Sequence, residues 1–162
     1  MKRSKLEKTI LICLYIFGIS FLVKIIRKPP IKDWVLIFLF KGYTASILDI
    51  LLVKEGVIKY PVNLYKKLNI SFLFDYLLFP VTCVYYNQLT LHSNIYLIFL
   101  KSLYFSVPMT LMEHLIEKNT ALIKYKKSWN SFYSLITITL TFLISRLFIG
   151  LVRDKSSTSN NK

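Results

Sequence analysis

Five apolar stretches, each long enough to cross a lipid bilayer as a helix, are separated in this sequence by segments rich in lysine and arginine. About 20 residues are sufficient, because a helix rises about 1.5 Å per residue and the hydrocarbon core is about 30 Å thick. The stretches cover residues 9–26, 34–53, 70–89, 95–113 and 130–152. This alternation predicts an all-α transmembrane helical bundle of about five spans, forming a single domain over residues 1–152. The polar tail, 153–162, is predicted to be disordered.

The composition narrows the function classes further. The chain is 54% hydrophobic and carries a net charge of +14. Its basic residues separate apolar spans and form no continuous polar face, so we expect no nucleic-acid partner. Cys13 and Cys83 lie inside apolar runs with no Cys or His at metal-ligand spacing. With only four glycines, a glycine-rich phosphate loop is excluded. No catalytic motif, metal site or cofactor is predicted.

The first apolar stretch follows a basic leader, residues 1–8, and this order also occurs in secretory signal peptides. A cleavage site of the A-x-A type does not follow, and the apolar sequence continues past Gly18. A retained first helix is therefore the favoured interpretation.

Two of the connecting segments, 54–69 and 115–129, mix apolar residues with four lysines each. This mixture predicts interfacial segments that turn their apolar side to the membrane and their ammonium groups to anionic lipid head groups. For 54–69, an ordinary solvated loop is the alternative.

The distribution of basic residues predicts an orientation. Four Lys/Arg residues occur in each of 1–8, 54–69 and 114–129, which lie on one side of a five-span protein. On the other side, 27–33 and 153–162 contain three each and 90–94 contains none. Cytoplasmic segments carry the excess of positive charge. We therefore expect a multi-pass protein of the cell membrane with a cytoplasmic N-terminus.

Ionisable residues inside the spans are the candidate functional residues, because such groups are costly within a membrane unless they are satisfied by partners. At about 1.5 Å per residue, three cations lie about 10 Å inside the outer face, and three acids lie near the inner face. The predicted pocket residues are Lys41, Asp49, Asp75, Lys101, Glu113 and Arg146. Snorkelling of the long cationic side chains to the outer head groups is the alternative explanation.

Two prolines lie within the third and fourth spans, which form a tight hairpin. Pro80 and Pro108 are expected to interrupt their helices and to free backbone carbonyls near the middle of the membrane. Such interruptions also occur in helices that have only a structural role.

A resemblance to a known family is carried by the phrases KDWVLIFLFKGY (32–43), KYPVNLYKK (59–67), FDYLLFPVTCVYYNQ (74–88) and SVPMTLMEHLIEKNTALIKYKK (106–127). Together with the closing span, they resemble an uncharacterised family of small multi-pass integral membrane proteins from spore-forming Gram-positive bacteria. The resemblance extends roughly from Pro30 to Val152. It implies a helical protein of the bacterial cell membrane and implies no activity.

Three functions remain open at this point. The charged residues could form a polar pocket that binds or passes an anionic lipid or small solute, with Asp49 and Asp75 neutralising charge or relaying protons. A membrane enzyme acting on lipid at the inner face could use Asp75, Glu113, His114 and Glu117, since carboxylates and a His can ligate a divalent metal. A scaffold that gathers other membrane proteins would instead pair the buried charges across subunits.

Overall fold

The computed structural model of the protein describes residues 2–60, 63–65, 68–120, 123–125 and 129–159, and it is almost entirely helical. In chain order the elements are α1 (Lys2–Ile26), α2 (Ile31–Lys54), β1 (Ile58–Lys59), β2 (Asn63–Tyr65), β3 (Leu68–Asn69), α3 (Ile70–Leu73), a π-helical turn (Phe74–Leu78), α4 (Phe79–Leu89), α5 (Ile95–Asn119), β4 (Lys124–Tyr125) and α6 (Ser131–Ser159).

Four helices of the described chain are long and apolar enough to cross a membrane: α1, α2, α5 and α6. The predicted all-α membrane class is thereby confirmed. The remaining predicted span, 70–89, is helical over the same residues but consists of α3, the π turn and α4. Its crossing of the membrane stays a prediction.

The helices extend beyond several of the predicted span ends. α5 continues to Asn119 although its span was predicted to end at residue 113, and α6 continues to Ser159. Glu and Lys are good helix formers, so a helix does not stop where its apolar stretch ends. Residues 115–119, predicted as interfacial, and 153–159, predicted as disordered, are therefore helical. Residues 160–162 lie outside the described part of the chain.

The two prolines of the predicted hairpin differ in their effect. Pro80 follows the π turn, in which the Phe79 N–H donates to the Phe74 carbonyl five residues earlier. Because Pro80 has no N–H to donate, a wider turn is accommodated here at little cost. Pro108 lies inside α5, which remains one continuous helix. At Pro80 the α-helical hydrogen bonding thus gives way to a π turn, whereas at Pro108 the helix continues and only the Tyr104 carbonyl loses its helical N–H donor.

The core of the bundle is centred on α4. Tyr86 is fully buried, packs beside Phe142 of α6, and donates from its hydroxyl to the Ile98 carbonyl of α5 at 3.1 Å. Asn87 Nδ2 donates to Ser145 Oγ of α6 at 3.0 Å. Hydrogen bonds between side chains of different helices are the contacts expected where lipid supplies no hydrophobic driving force.

Large apolar side chains cover the outside of the helices. Ile95, Tyr104 and Leu147 are 86%, 75% and 66% exposed. In water such a surface would favour association of the protein with other molecules, whereas in a bilayer it contacts acyl chains.

The two predicted interfacial segments meet at one end of the bundle. β1 and β4 pair antiparallel, with Ile58 opposite Tyr125 and Lys59 opposite Lys124. We call this pair the ribbon. A second short pair forms within the first segment, between β2 and β3. Lys66, Lys67, Lys126 and Lys127 lie outside the described residues.

An ion pair joins α2 and α6 at the opposite end of the bundle. Arg153 Nε donates to Asp33 Oδ2 at 2.5 Å, and the guanidinium lies 5.6 Å from the centroid of the Trp34 ring. These contacts hold Arg153, the first residue of the predicted tail, against α2.

Candidate functional site

A cavity of about 140 Å³ opens among α2, the π turn, α5 and α6, at the end of the bundle where the ribbon lies. Apolar side chains make up most of its wall, among them Leu52, Ile58, Met109 and Ile123. Four charged side chains also line it: Lys41, Asp49, Asp75 and Glu113. An engineered apolar cavity of about 150 Å³ holds one benzene molecule, so this one has room for a small group of atoms.

Lys41 lies in the middle of α2 and is 1% exposed. Its ammonium lies 4.0 Å from the centroid of the Phe79 ring. Among the described residues, Nζ has no hydrogen-bond partner. Contact with an aromatic face offsets only a part of the desolvation of a buried ammonium. The end of the Lys41 side chain is therefore a strong candidate for contact with a bound anion.

Asp75 reaches the cavity through the π turn. Its backbone carbonyl lies 3.8 Å from the position that a Cβ atom would occupy at Gly42, the neighbour of Lys41. Asp75 and Lys41 therefore lie at a similar level along the bundle axis. Their opposite charges interact. π-helical turns frequently occur at functional sites because they change the direction in which side chains point.

Asp49 lies two helical turns after Lys41 on the same face of α2, about 12 Å farther along the axis at about 1.5 Å per residue. It accepts a hydrogen bond of 2.5 Å from the hydroxyl of Tyr60, which directly follows β1. Asp49 is half-buried. This phenol fixes one oxygen of the carboxylate at the ribbon end of the cavity.

Glu113 provides the matching contact from α5. Its carboxylate accepts a hydrogen bond from the hydroxyl of Tyr125 in β4. Tyr60, next to β1, thus donates a hydrogen bond to Asp49, and Tyr125, in β4, donates one to Glu113. The pairing of β1 with β4 brings both carboxylates to the same end of the cavity.

Lys101 and Arg146 lie outside the cavity. Lys101 Nζ donates to the Leu89 carbonyl at 2.8 Å and to Ser93 Oγ at 2.9 Å. Arg146 Nη2 donates to the Leu91 carbonyl at 3.2 Å. Both cations therefore hold the connection between α4 and α5, whose carbonyls have no helical partners.

The six predicted pocket residues thus separate into two groups. Four of them line one cavity, and the expectation that Lys101 and Arg146 share that pocket is not met by the structure. Sequence reasoning placed Tyr60 and Tyr125 only among the apolar residues of the surface segments. No local pattern marks their phenols as partners of Asp49 and Glu113, because the pairing depends on contact between distant parts of the chain.

Of the four residues of the enzyme alternative, only Asp75 and Glu113 line the cavity. His114 is exposed, and its Nδ1 lies 3.1 Å from Ser131 Oγ. Neither His114 nor Glu117 lines the cavity that contains Glu113. Within the described ranges, no three His, Cys, Asp or Glu side chains are grouped so that they could hold a metal ion.

Comparisons with known proteins do not identify a family for this chain. No family model matches the chain, and neither a curated protein nor a solved structure is detectably similar to it.

Proposed function

We propose that the protein is a ligand-binding protein of the bacterial cell membrane, and that its cavity receives the anionic group of a lipid or small solute. One observation carries the proposal: the ammonium of Lys41 lines the cavity, is almost completely buried and has no hydrogen-bond partner among the described residues. A carboxylate or phosphate at this position would supply the missing charge-assisted hydrogen bond.

The energetics favour a bound partner for this lysine. Leaving a buried charge without its partner costs about 3–5 kcal/mol. An anionic ligand would recover a part of that cost on binding, in addition to the contacts of its apolar portion with the cavity wall. The volume restricts the enclosed part of the ligand to a head group or a small solute.

We further propose that the cavity end of the bundle faces the cytoplasm. The described residues of the segments 1–8, 54–69 and 114–129 lie at this end, and the sequence of each segment contains four Lys/Arg residues. Lysines at a membrane surface attract anionic lipids by about 1 kcal/mol each. Lys59 and Lys124, opposite each other on the ribbon, would raise the local concentration of phosphate-bearing ligands. The resemblance of residues 30–152 to small bacterial membrane proteins supports a location in the bacterial cell membrane.

The proposal is tested by mass spectrometry of the intact protein released from nanodiscs that contain phosphate-bearing lipids. Lys41→Met should reduce the bound lipid at least tenfold, equivalent to about 1.4 kcal/mol. Lys101→Met is the matched control, because this lysine bonds the connection between α4 and α5 outside the cavity. Equal lipid occupancy in Lys41→Met and in the unchanged protein would contradict the proposal.

A further inference from the structure

Three buried hydrogen-bond donors are unused at the end of the bundle opposite the cavity. They are Nε1 of Trp34, Nε of Arg146 and Nη2 of Arg153, and none of them has a hydrogen-bond partner among the described residues. A buried donor that makes no hydrogen bond lowers stability, and more so when it belongs to a charged group. These three donors therefore call for an acceptor.

The three donors belong to one region of the structure. The guanidinium of Arg153 lies 5.6 Å from the centroid of the Trp34 ring. Arg146 precedes Arg153 by two turns of α6, so both side chains start from the same face, about 10 Å apart along the axis at about 1.5 Å per residue. Their positive charges are close enough to repel each other. Ile149, between the two arginines, belongs to the same buried cluster as Trp34.

The other contacts of the two guanidiniums fix their positions without using these donors. Arg146 Nη2 donates to the Leu91 carbonyl, and Arg153 Nε donates to Asp33. Basic residues at this end outnumber its acids, Asp33 and Asp154, and they are Arg27, Lys28, Lys32, Arg146, Arg153 and Lys155. The acceptor that suits these surroundings is an anion.

Gly150 provides open space between the two arginines. It lies one turn after Arg146 and one turn before Arg153 on α6, and it is exposed. A Cβ atom at this position would meet nothing within 4 Å. Bare backbone of this kind allows a ligand to approach closely. A small group can therefore reach the guanidiniums from the surface of α6.

We propose that a terminal phosphate group, as in inorganic phosphate or a phosphate monoester, binds beside Gly150 and accepts hydrogen bonds from Trp34, Arg146 and Arg153. A terminal phosphate has three strong acceptor oxygens, one for each donor. A carboxylate has two oxygens, and a phosphate diester, as in phosphatidylglycerol, has two that are not esterified. This site is separate from the cavity and independent of the proposed function.

Isothermal titration calorimetry in an uncharged detergent tests the proposal. The Lys41→Met protein is used, because this variant removes the cation of the cavity from the measurement. Inorganic phosphate and glycerol 3-phosphate should bind with a Kd of about 1 mM or below. Dimethyl phosphate, a diester, should bind at least tenfold more weakly. Equal binding of dimethyl phosphate would overturn the proposal.

A lipid arm identifies the source of the phosphate. Phosphatidic acid carries a terminal phosphate, and it is compared with phosphatidylglycerol of identical acyl chains in nanodiscs, again on Lys41→Met protein. If phosphatidic acid is preferred at least tenfold and the soluble compounds do not bind, the phosphate belongs to a lipid. If the soluble compounds bind, the free group is sufficient. Absence of binding in both arms would overturn the proposal.

Trp34→Phe removes one donor and keeps an aromatic ring beside Arg153. Phosphate binding should weaken at least tenfold, as expected for the loss of a hydrogen bond to a charged group. Trp129→Phe is the matched control, because the other tryptophan of the chain donates to Ser134 at the cavity end. Equal affinities of the two variants would contradict the assignment of the Trp34 N–H.

Gly150→Leu fills the open space without removing a donor. The side chain of a helical residue lies over the preceding turn, which here carries Arg146. Phosphate binding should therefore be lost in Gly150→Leu and retained in Gly150→Ala. Unchanged affinity in both Gly150→Leu and Trp34→Phe would show that phosphate binds elsewhere and would overturn the proposal.

Discussion

Lys41 combines two properties that conflict in the protein without a ligand. The residue is 1% exposed, and its buried ammonium lacks a hydrogen-bond partner in the described structure. A buried donor that makes no hydrogen bond lowers the stability of the folded protein. A lysine that lowers the stability of the folded protein and lines a cavity is more readily explained by a role in ligand binding than by a role in folding. The stability of Lys41 variants tests this explanation.

We predict that Lys41→Met raises the free energy of unfolding of the ligand-free protein in detergent by about 1–3 kcal/mol, because it removes a buried ammonium that makes no hydrogen bond among the described residues. Lys101→Met should not be stabilising, since its ammonium is hydrogen-bonded to Leu89 and Ser93. Thermal unfolding followed by circular dichroism measures both. A large loss of stability in Lys41→Met would show that this lysine has a structural partner.

Gly18 and Gly150 form a second pair of contrasting residues. A Cβ atom at Gly18 would lie 2.7 Å from Leu77 Cδ2, whereas at Gly150 it would meet nothing within 4 Å. We predict that Gly18→Ala destabilises the protein, because overpacking against Leu77 costs about 1–3 kcal/mol and the gain in helix propensity returns only about 0.5–1 kcal/mol. Gly150→Ala should stabilise it by about 0.5–1 kcal/mol, because glycine is unfavourable inside a helix. Thermal unfolding of the two variants should therefore give shifts of opposite sign.

At the scale of elements, the ribbon encloses one end of the cavity. Tyr60 and Tyr125 connect it to α2 and α5 by hydrogen bonds to half-buried carboxylates. Two strands of two residues each are too short to be stable by themselves. The hydroxyl groups therefore contribute substantially to holding the ribbon against the helices.

We predict that Tyr125→Phe increases hydrogen exchange of the backbone amides in residues 58–60 and 123–125, because removing one partner of a half-buried hydrogen bond costs about 1–3 kcal/mol. Tyr104→Phe is the control, since Tyr104 is 75% exposed on the outer surface. Unchanged exchange in Tyr125→Phe would contradict a stabilising role of this contact.

The π turn sets the direction of Asp75. We predict that Pro80→Ala restores an N–H donor and allows a regular α-helix through residues 70–89, which would move Asp75 relative to Lys41. Binding of phosphate-bearing lipids should then change at least severalfold. Pro108→Ala should leave binding unchanged and increase stability, because α5 is already continuous at this residue and proline costs about 3 kcal/mol inside a helix. Equal effects of the two variants on lipid binding would contradict a role of the π turn in binding.

The length and composition of the apolar runs were enough to predict the membrane class, and they located α2 to within about three residues, a normal boundary error. They could not predict that α5 continues to Asn119, because helical hydrogen bonds and membrane thickness are separate constraints. Depth counting identified Lys41 and the three acids but gave no information on which helices are neighbours. Lys101 and Arg146 were therefore grouped with Lys41, although each bonds the backbone of the connection between α4 and α5.

At the scale of the whole molecule, the cavity and the connection between α4 and α5 lie at opposite ends of the bundle. Five crossings would place these ends on opposite sides of the membrane. We predict that, in a cysteine-free background, His92→Cys is labelled from outside the cell by a membrane-impermeant maleimide, whereas Lys124→Cys is labelled only after permeabilisation. Both positions are exposed. Labelling of both from the same side would contradict five crossings and the proposed orientation of the cavity.

The central claim is that the cavity beside Lys41 is a ligand site, and an experimental structure in nanodiscs containing phosphatidylethanolamine tests it most directly. The account predicts head-group density with its phosphate within hydrogen-bond distance of Lys41 Nζ. A cavity that contains only water, or in which Lys41 Nζ is bonded to a protein group, would contradict it.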